Sequence, residues 1–341
     1  MSSQMPSQVT PQRLMQIVWS FAQPLALDAA IQNRVFDVLD AGPMTVEEVS
    51  KATGASVRGL AAVMNLLVGI QFLAKTPDGR YALTPESSAL LVSTKPGYYG
   101  GFVRQISSGL VPHFLQLSEI VRTGIPVENH IGSSQAPEFF EQLVVDILPV
   151  AYPGAQALAE ALGVSRAVQP VPVLDIGAGS GVWGIALAQA SPHVRVTAVD
   201  FPGVLEVTRK IARKFGVADQ FTCVGGDIFQ DDLGTGFAVA TLGHILHMAG
   251  PDTNKSLLKR IFSALAPGGT LVIGEMIVNE DRTGPVEPLA FAVNMLVHTT
   301  NGDAYTLGEM RSWLQEAGFV NIRTLDAPAP SPLVLADKPA K

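Results

Sequence analysis

The 341-residue chain has a single cysteine, Cys223. That excludes an intrachain disulfide and any zinc site built from cysteines. Positive charge is also scarce: 23 Lys and Arg against 30 Asp and Glu give a net charge of −7, so no nucleic-acid footprint is expected. The first ten residues carry neither a basic cluster nor an apolar core, so no secretory signal and a cytoplasmic location are expected. Long apolar spans are missing too. The uncharged windows from Ile176 to Val194 and from Leu233 to Pro251 approach spanning length, but glycines, Pro192 and histidines interrupt them, so no membrane segment is expected. With 47% hydrophobic and 16% charged residues the chain is a folded one, and its partner is expected to be a small molecule.

The length suits about two domains on a prior of roughly 150 residues each. Residues 14–92 read as helices followed by strands. Thr45 and Glu48 form a capping box, Ser56 caps a second helix, and Leu60, Val63, Met64, Leu67 and Val68 share one face of it. Phe72 to Lys75, a Pro77-Asp78-Gly79 turn and Arg80 to Leu83 make a hairpin. Helix, helix, hairpin is a winged-helix pattern, but Arg58, Lys51, Lys75 and Arg80 offer too little charge for DNA, which favours a dimerising module. Residues 98–165 hold further helical segments, including Phe139-Phe140 and the run Gln156 to Leu162. Pro170 and Pro172 then mark a boundary, and the pattern changes to strands alternating with helices.

Those strands run from Val171 to Ile176, Val194 to Asp200, Gln220 to Val224, Phe237 to Leu246 and Thr270 to Glu275. They imply an α/β, Rossmann-like, doubly wound parallel sheet. After a helix from Leu307 to Ala317, the runs Val320 to Leu325 and Pro332 to Ala336 are close enough to pair antiparallel. Three regions are expected: a winged-helix-like dimerisation domain over 1–97, a helical linker and substrate-pocket region over 98–168, and a catalytic domain over 169–341.

Where the first of these strands meets a helix, Val173 to Gly184 reads VLDIGAGSGVWG. Gly177, Gly179 and Gly181 allow a tight turn and close approach to a ligand beside a helix N-terminus. The spacing fits two cofactors. Gly179-Ser-Gly181-Val-Trp183-Gly184 with Asp200 about 20 residues on matches a dinucleotide fingerprint. Asp175 ahead of the glycines, Gly225-Gly226-Asp227-Ile228-Phe229 after the third strand, and the terminal antiparallel pair after Pro267-Gly268-Gly269 favour S-adenosylmethionine.

With AVDFP, GGDIF, ILH, LAPGGTLVIGE and NGDAYTLGEMRSWLQEAGF added, the chain resembles the class I S-adenosylmethionine-dependent methyltransferases of the caffeate and hydroxyindole O-methyltransferase type over nearly its whole length. The resemblance implies that Asp175, Gly177, Gly179 and Gly181 shape the cofactor loop. It further implies that Asp200 and Phe201 hold the ribose and flank the adenine, that Gly226, Asp227, Ile228 and Phe229 line the adenine site, and that the N-terminal domains form a homodimer. S-adenosylhomocysteine would be the product.

Methyl transfer to a hydroxyl is an in-line displacement that aligns acceptor and methyl at about 3 to 3.5 Å. A phenol of pKa near 10 attacks better once deprotonated, and a histidine of pKa about 6.5 suits that task. By the resemblance His247 is the general base and Glu275 orients it. His244 is assigned to structure, and metal binding by the histidine pair is not expected, because no third ligand lies adjacent. Phe140, Phe291, Met295 and His298 are the candidate acceptor-pocket residues. Three positions depart from the family: H-D-W stands as His247-Met248-Ala249, a second carboxylate falls near Ala304 with Asp303 as the neighbouring substitute, and a basic residue is replaced by Gly243. The expected activity is O-methylation of a small aromatic or polyketide-like acceptor. The alternatives are N- or C-methylation on the same fold, a NAD-dependent enzyme, or a winged-helix regulator with a cofactor-sensing domain.

Overall fold

The computed structural model describes residues 10–127 and 136–340, so the expectation about the extreme N-terminus lies outside the described residues. Two compact units, Met1–Val111 and Pro112–Lys341, divide the chain, and the stretch 98–168 is shared between them.

In the first unit the capping box closes as the sequence predicts. Thr45 Oγ1 accepts from Glu48 N, and Glu48 Oε2 accepts from Thr45 N at 2.8 Å, satisfying two amides that the helix Val46–Thr53 cannot pair itself. Ser56 caps Val57–Gly69, which buries Leu60, Met64 and Leu67. These pack with Phe36, Leu39, Val49 and the antiparallel hairpin β1 (Leu73–Lys75) and β2 (Tyr81–Leu83). Arg80 Nη1 ties the hairpin to Glu48 at 2.6 Å. The helices Gln12–Ser20 and Ala22–Gln32 leave Leu14, Ile17, Val18, Trp19 and Phe21 exposed. Residues Gln12–Gln32 are long and apolar enough to cross a membrane by length and composition, a stretch the sequence windows did not single out.

The second unit is built on a seven-stranded sheet with β3 (Val171–Ile176), β4 (Val194–Asp200), β5 (Phe221–Gly225), β6 (Phe237–Gly243) and β7 (Leu265–Gly274) all parallel. A small parallel pair, β8 (Ile277–Val278) and β9 (Tyr305–Thr306), stands apart. The final strands β10 (Val320–Leu325) and β11 (Leu333–Asp337) add antiparallel to β7, giving the order β10-β11-β7-β6-β3-β4-β5. Each face is covered by helices. Leu148–Leu162, Val182–Ala190 and Pro202–Lys214 cover one and Pro251–Ala264 and Leu307–Ala317 the other, which is why the central strands are apolar throughout. Both interrupted apolar windows fall inside this sheet unit, spanning the glycine turn with its helix and β6 with its loop.

The fourth parallel strand is shorter than its sequence suggests. The apolar run to Leu246 predicts an extended chain, but β6 ends at Gly243 because His244 adopts a left-handed φ of 60° and sends its N–H to Gly274 O at 2.7 Å. The strand order reverses between β3 and β6, so the loops after these two strands flank the crevice where open parallel sheets bind ligands.

Asp175, at the end of β3, holds this point together. Its Oδ1 accepts from Thr241 Oγ1 on β6 at 2.7 Å, and its Oδ2 accepts from Gly184 N in the helix Val182–Ala190 at 3.1 Å. Burial pushes its carboxyl up to about 6, with the two hydrogen bonds opposing and the Asp200 charge assisting. An acid raised in the folded state contributes stability that is full below its unfolded pKa of about 3.9 and is lost as pH rises through the folded value. In Asp175→Asn, the amide keeps Gly184 N as donor and gives its own N–H to Thr241. Denaturant titrations should therefore show the variant gaining on the wild-type protein by up to about 3 kcal/mol between pH 4 and pH 7. A constant difference across that range would show that Asp175 titrates normally.

Candidate active site

The glycine turn is fixed by sterics. Gly177, Gly179 and Gly181 have φ of 60°, 56° and 77°, a region closed to most side chains. A Cβ at Gly177 would stand 2.4 Å from Ile245 Cδ1, and one at Gly181 would stand 2.8 Å from Thr208 Cγ2. The backbone thus packs directly against the loop after β6 and the helix after β4.

Asp200 at the end of β4 braces the same turn. Its Oδ2 accepts from Gly179 N at 2.8 Å, its Oδ1 accepts from Phe201 N at 2.7 Å, and Thr208 Oγ1 donates to Gly179 O at 2.7 Å. Burial raises the Asp200 pKa, and the two amide bonds oppose that shift. Asp227 closes the next turn by accepting from Phe229 N and Gln230 Nε2, both at 2.8 Å, while Asp231 Oδ2 accepts from Asp227 N. A Cβ at Gly226 would meet that Asp231 oxygen at 2.9 Å. Ile228 is buried against the loop, with its carbonyl accepting from Arg260 Nη1 at 2.6 Å.

The donor set fits S-adenosylmethionine. A carboxylate at the end of β4 can accept from vicinal ribose hydroxyls, one after β5 can accept from an amine, and Ile228 offers an apolar surface to a purine. Asp175 argues against the dinucleotide. It already satisfies Gly184 N, one of the amides at the helix N-terminus where a pyrophosphate would sit, and places a carboxylate there. It therefore faces inward rather than toward a cofactor.

At the ends of β6 and β7 the two expected catalytic residues meet. His247 Nδ1 and Glu275 Oε2 are 2.8 Å apart, and Glu275 Oε1 accepts from His247 N at 3.3 Å. Both side chains are buried. Burial alone would raise the Glu275 carboxyl. The His247 charge and hydrogen bonds, with His244 nearby, outweigh it and hold the group below the ordinary carboxylate range. An ionised Glu275 accepts a proton-bearing Nδ1, which leaves Nε2 as the basic nitrogen. The Phe291 and His247 rings meet in a T-shaped contact, with centroids 4.8 Å apart.

Groups from three further residues hold this loop, and of these the sequence singles out only Asp303, for a different role. Asn254 Nδ2 donates to Leu246 O at 2.8 Å and to Ala249 O at 3.0 Å. Tyr305 Oη donates to Ala249 O, and Asp303 N to His247 O at 3.0 Å. Asn254 in PDTNKS and Tyr305 in NGDAYT sit among other polar residues, so nothing in the sequence sets them apart.

The departures from the family pattern have visible causes. A side chain at Gly243 is impossible because its Cβ would meet Trp183 Nε1 at 2.0 Å, and Trp183 also covers Gly274. Met248 packs half-buried against the core. Ala304 is fully buried, and Asp303 does not substitute for the flanking carboxylate: its oxygens accept from Arg282 Nη1 and Ala304 N. His244 is half-buried beside Glu275, and desolvation lowers its pKa.

Of the expected pocket residues, Phe291, Met295 and His298 share one face of the helix Val286–His298. Met295 is buried, and His298 Nε2 lies 2.9 Å from His113 Nδ1. Phe140 lies half-buried in Ala136–Asp146. Asn294, one turn beyond Phe291, has a buried Oδ1 with no donor, a feature no sequence pattern announced.

Residues 157–320 match the model of an O-methyltransferase domain, and residues 15–93 match an O-methyltransferase dimerisation domain. The tetracenomycin polyketide synthesis 8-O-methyl transferase of Streptomyces glaucescens is 29% identical over 333 residues, covering 96% of this chain and 97% of the relative. The 3-hydroxy-5-methyl-1-naphthoate 3-O-methyltransferase of Streptomyces sahachiroi is 30% identical, covering 89% and 88%. The S-adenosyl-L-methionine-dependent methyl transferase PigF of a Serratia species is 27% identical, with 97% of each chain covered. A solved structure of PigF with S-adenosylhomocysteine has a TM-score of 0.83 at 25% identity, covering 97% of this chain and 100% of that one. This chain belongs to the S-adenosylmethionine-dependent O-methyltransferase family.

Proposed function

We propose that the chain methylates a hydroxyl of a small aromatic or polyketide-derived acceptor, with His247 taking the hydroxyl proton. The observation that carries this reading is the 2.8 Å contact of His247 Nδ1 with Glu275, which leaves Nε2 free to act as base. When bound, the cofactor supplies an electrophilic methyl carbon on a cationic sulfur.

Asp200 would accept from the ribose hydroxyls, Phe201 and Ile228 would flank the adenine, and Asp227 would accept from its amine. Gly226 and Phe229 shape that site, and the Gly177, Gly179 and Gly181 turn lets the backbone approach. Asp175 supports the turn from behind. His247 Nε2 removes the acceptor proton as the oxygen attacks, and Glu275 stabilises the resulting imidazolium. Phe291, Met295 and Phe140 form apolar walls of the acceptor pocket with His298 as a polar member, while Asn294 Oδ1 accepts from a polar group of the acceptor. The two polyketide and naphthoate relatives support this acceptor class.

His247→Asn tests the base, because its amide can still donate to Glu275. A labelled-methyl assay on hydroxynaphthoate and polyketide phenols should show kcat lower by about 10²- to 10⁴-fold with S-adenosylmethionine affinity unchanged. The loss should shrink as the acceptor hydroxyl becomes more acidic. Unchanged turnover would remove His247 as base.

Asp200→Asn should weaken S-adenosylmethionine by about 10- to 100-fold in calorimetry, the worth of a charge-assisted hydrogen bond. Tight NAD binding with no response to S-adenosylmethionine would contradict the cofactor assignment.

We further propose that the exposed row Leu14, Ile17, Val18, Trp19 and Phe21 is covered by a second copy of the chain, as its place at the start of the matched dimerisation domain supports. Sedimentation should show a dimer, and Trp19→Asp should shift it toward monomer. A wild-type monomer at micromolar concentration would contradict this.

A further inference from the structure

Glu275 serves more than one imidazole. No third ligand lies adjacent to His244 and His247 in the sequence, but the fold delivers one, Glu275, at the end of β7 and 28 residues beyond His247. One potential ligand atom from each of His244, His247 and Glu275 lies within 4.8 Å of the others. His247 Nδ1 and Glu275 Oε2 are already 2.8 Å apart. The left-handed φ of 60° at His244, held by its N–H to Gly274 O, turns that residue back toward β7. Such conformations concentrate at functional sites.

We propose that His244, His247 and Glu275 form an inhibitory site for a divalent transition metal of the zinc type. Two imidazoles and one carboxylate are a zinc donor set, and bonds of about 2.0 to 2.2 Å set tetrahedral ligand atoms about 3.4 Å apart. Rotations of His244 and Glu275 bring the triangle to that spacing, opening the 2.8 Å edge between His247 and Glu275 while the wider edges close, and a water completes the coordination. Metal–ligand bonds at His247 Nδ1 and Glu275 then replace the hydrogen bond between them, and the proton on Nδ1 passes through solvent to Nε2, so that the bound ring stays neutral and Nε2 is no longer bare. The hydrogen-bonded base is lost. A divalent cation beside the reacting centre also opposes the positive sulfonium of S-adenosylmethionine, whereas neutral S-adenosylhomocysteine escapes that repulsion. This second consequence rests on the proposed placement of His247 beside the transferring methyl group; the metal site itself does not.

Cobalt is the probe, because Co2+ takes the same geometry as zinc and absorbs visibly when four-coordinate. The full-length protein should bind one Co2+ per chain at this site with four-coordinate absorption, displaced by stoichiometric Zn2+. His244→Asn is the informative variant, since asparagine tolerates a left-handed φ. It should weaken Co2+ at least about tenfold, and the similarly sized Glu275→Gln should repeat the loss. Cys223→Ser should leave binding unchanged. In calorimetry Zn2+ should weaken S-adenosylmethionine at least about tenfold more than S-adenosylhomocysteine. Absence of the four-coordinate signal, or equal binding by His244→Asn, overturns the site. Equal effects of Zn2+ on the two cofactor forms overturn its inhibitory role. His244-dependent Co2+ binding in a protein that takes up neither cofactor form upholds the metal site and removes the methyl-transfer reading instead.

Discussion

A buried carboxylate must find a partner, and Glu275 finds His247. That constraint organises the site. A hydrogen bond to a charged group contributes about 1.5–3 kcal/mol, so the loop after β6 is held to the end of β7 by more than its backbone. The dyad depends on strand register: parallel pairing of Gly243 with Gly274 places the residues that follow side by side. Asn254, Tyr305 and the Asp303 amide then secure the carbonyls of Leu246, His247 and Ala249, leaving the imidazole little freedom to turn. Orientation of the His247 ring is thus a property of the sheet.

The cofactor side follows the same logic with smaller parts. At the crossover between β3 and β6, the backbone must turn sharply against Ile245 and Thr208, and only glycine fits. Asp175 ties the turn to β6 from beneath, and Asp200 ties it to β4 from the side. The two carboxylates differ in purpose although both are strand-end acids. One is enclosed and satisfied by protein groups, while the other stands at the mouth of the turn.

Much of this was legible in the sequence because it depends on local chemistry. The capping box at Thr45, the helix Leu307–Ala317 and the strand β4 follow from residue types and spacing alone. The glycine turn and the His247–Glu275 dyad were also accessible, the latter through family resemblance rather than periodicity. What escaped depends on contacts distant in sequence. The left-handed His244 ends a strand that its apolar neighbours would continue. Trp183 explains the missing side chain at Gly243 only once a helix is laid on the sheet. Asp303 looked available as a flanking acid until Arg282 claimed it. Asn294 carried no motif; its unsatisfied Oδ1 appears only after the helix is packed.

We propose that Glu275 fixes His247 with a bare Nε2 directed at the acceptor hydroxyl. Nitrogen-15 spectroscopy of the imidazole in the cofactor-bound protein measures this directly, using His247→Asn to assign the signals. The account predicts a neutral ring with the hydrogen on Nδ1, and loss of that tautomer's preference in Glu275→Gln. A hydrogen on Nε2 in the wild-type protein, or a tautomer indifferent to Glu275, would contradict it.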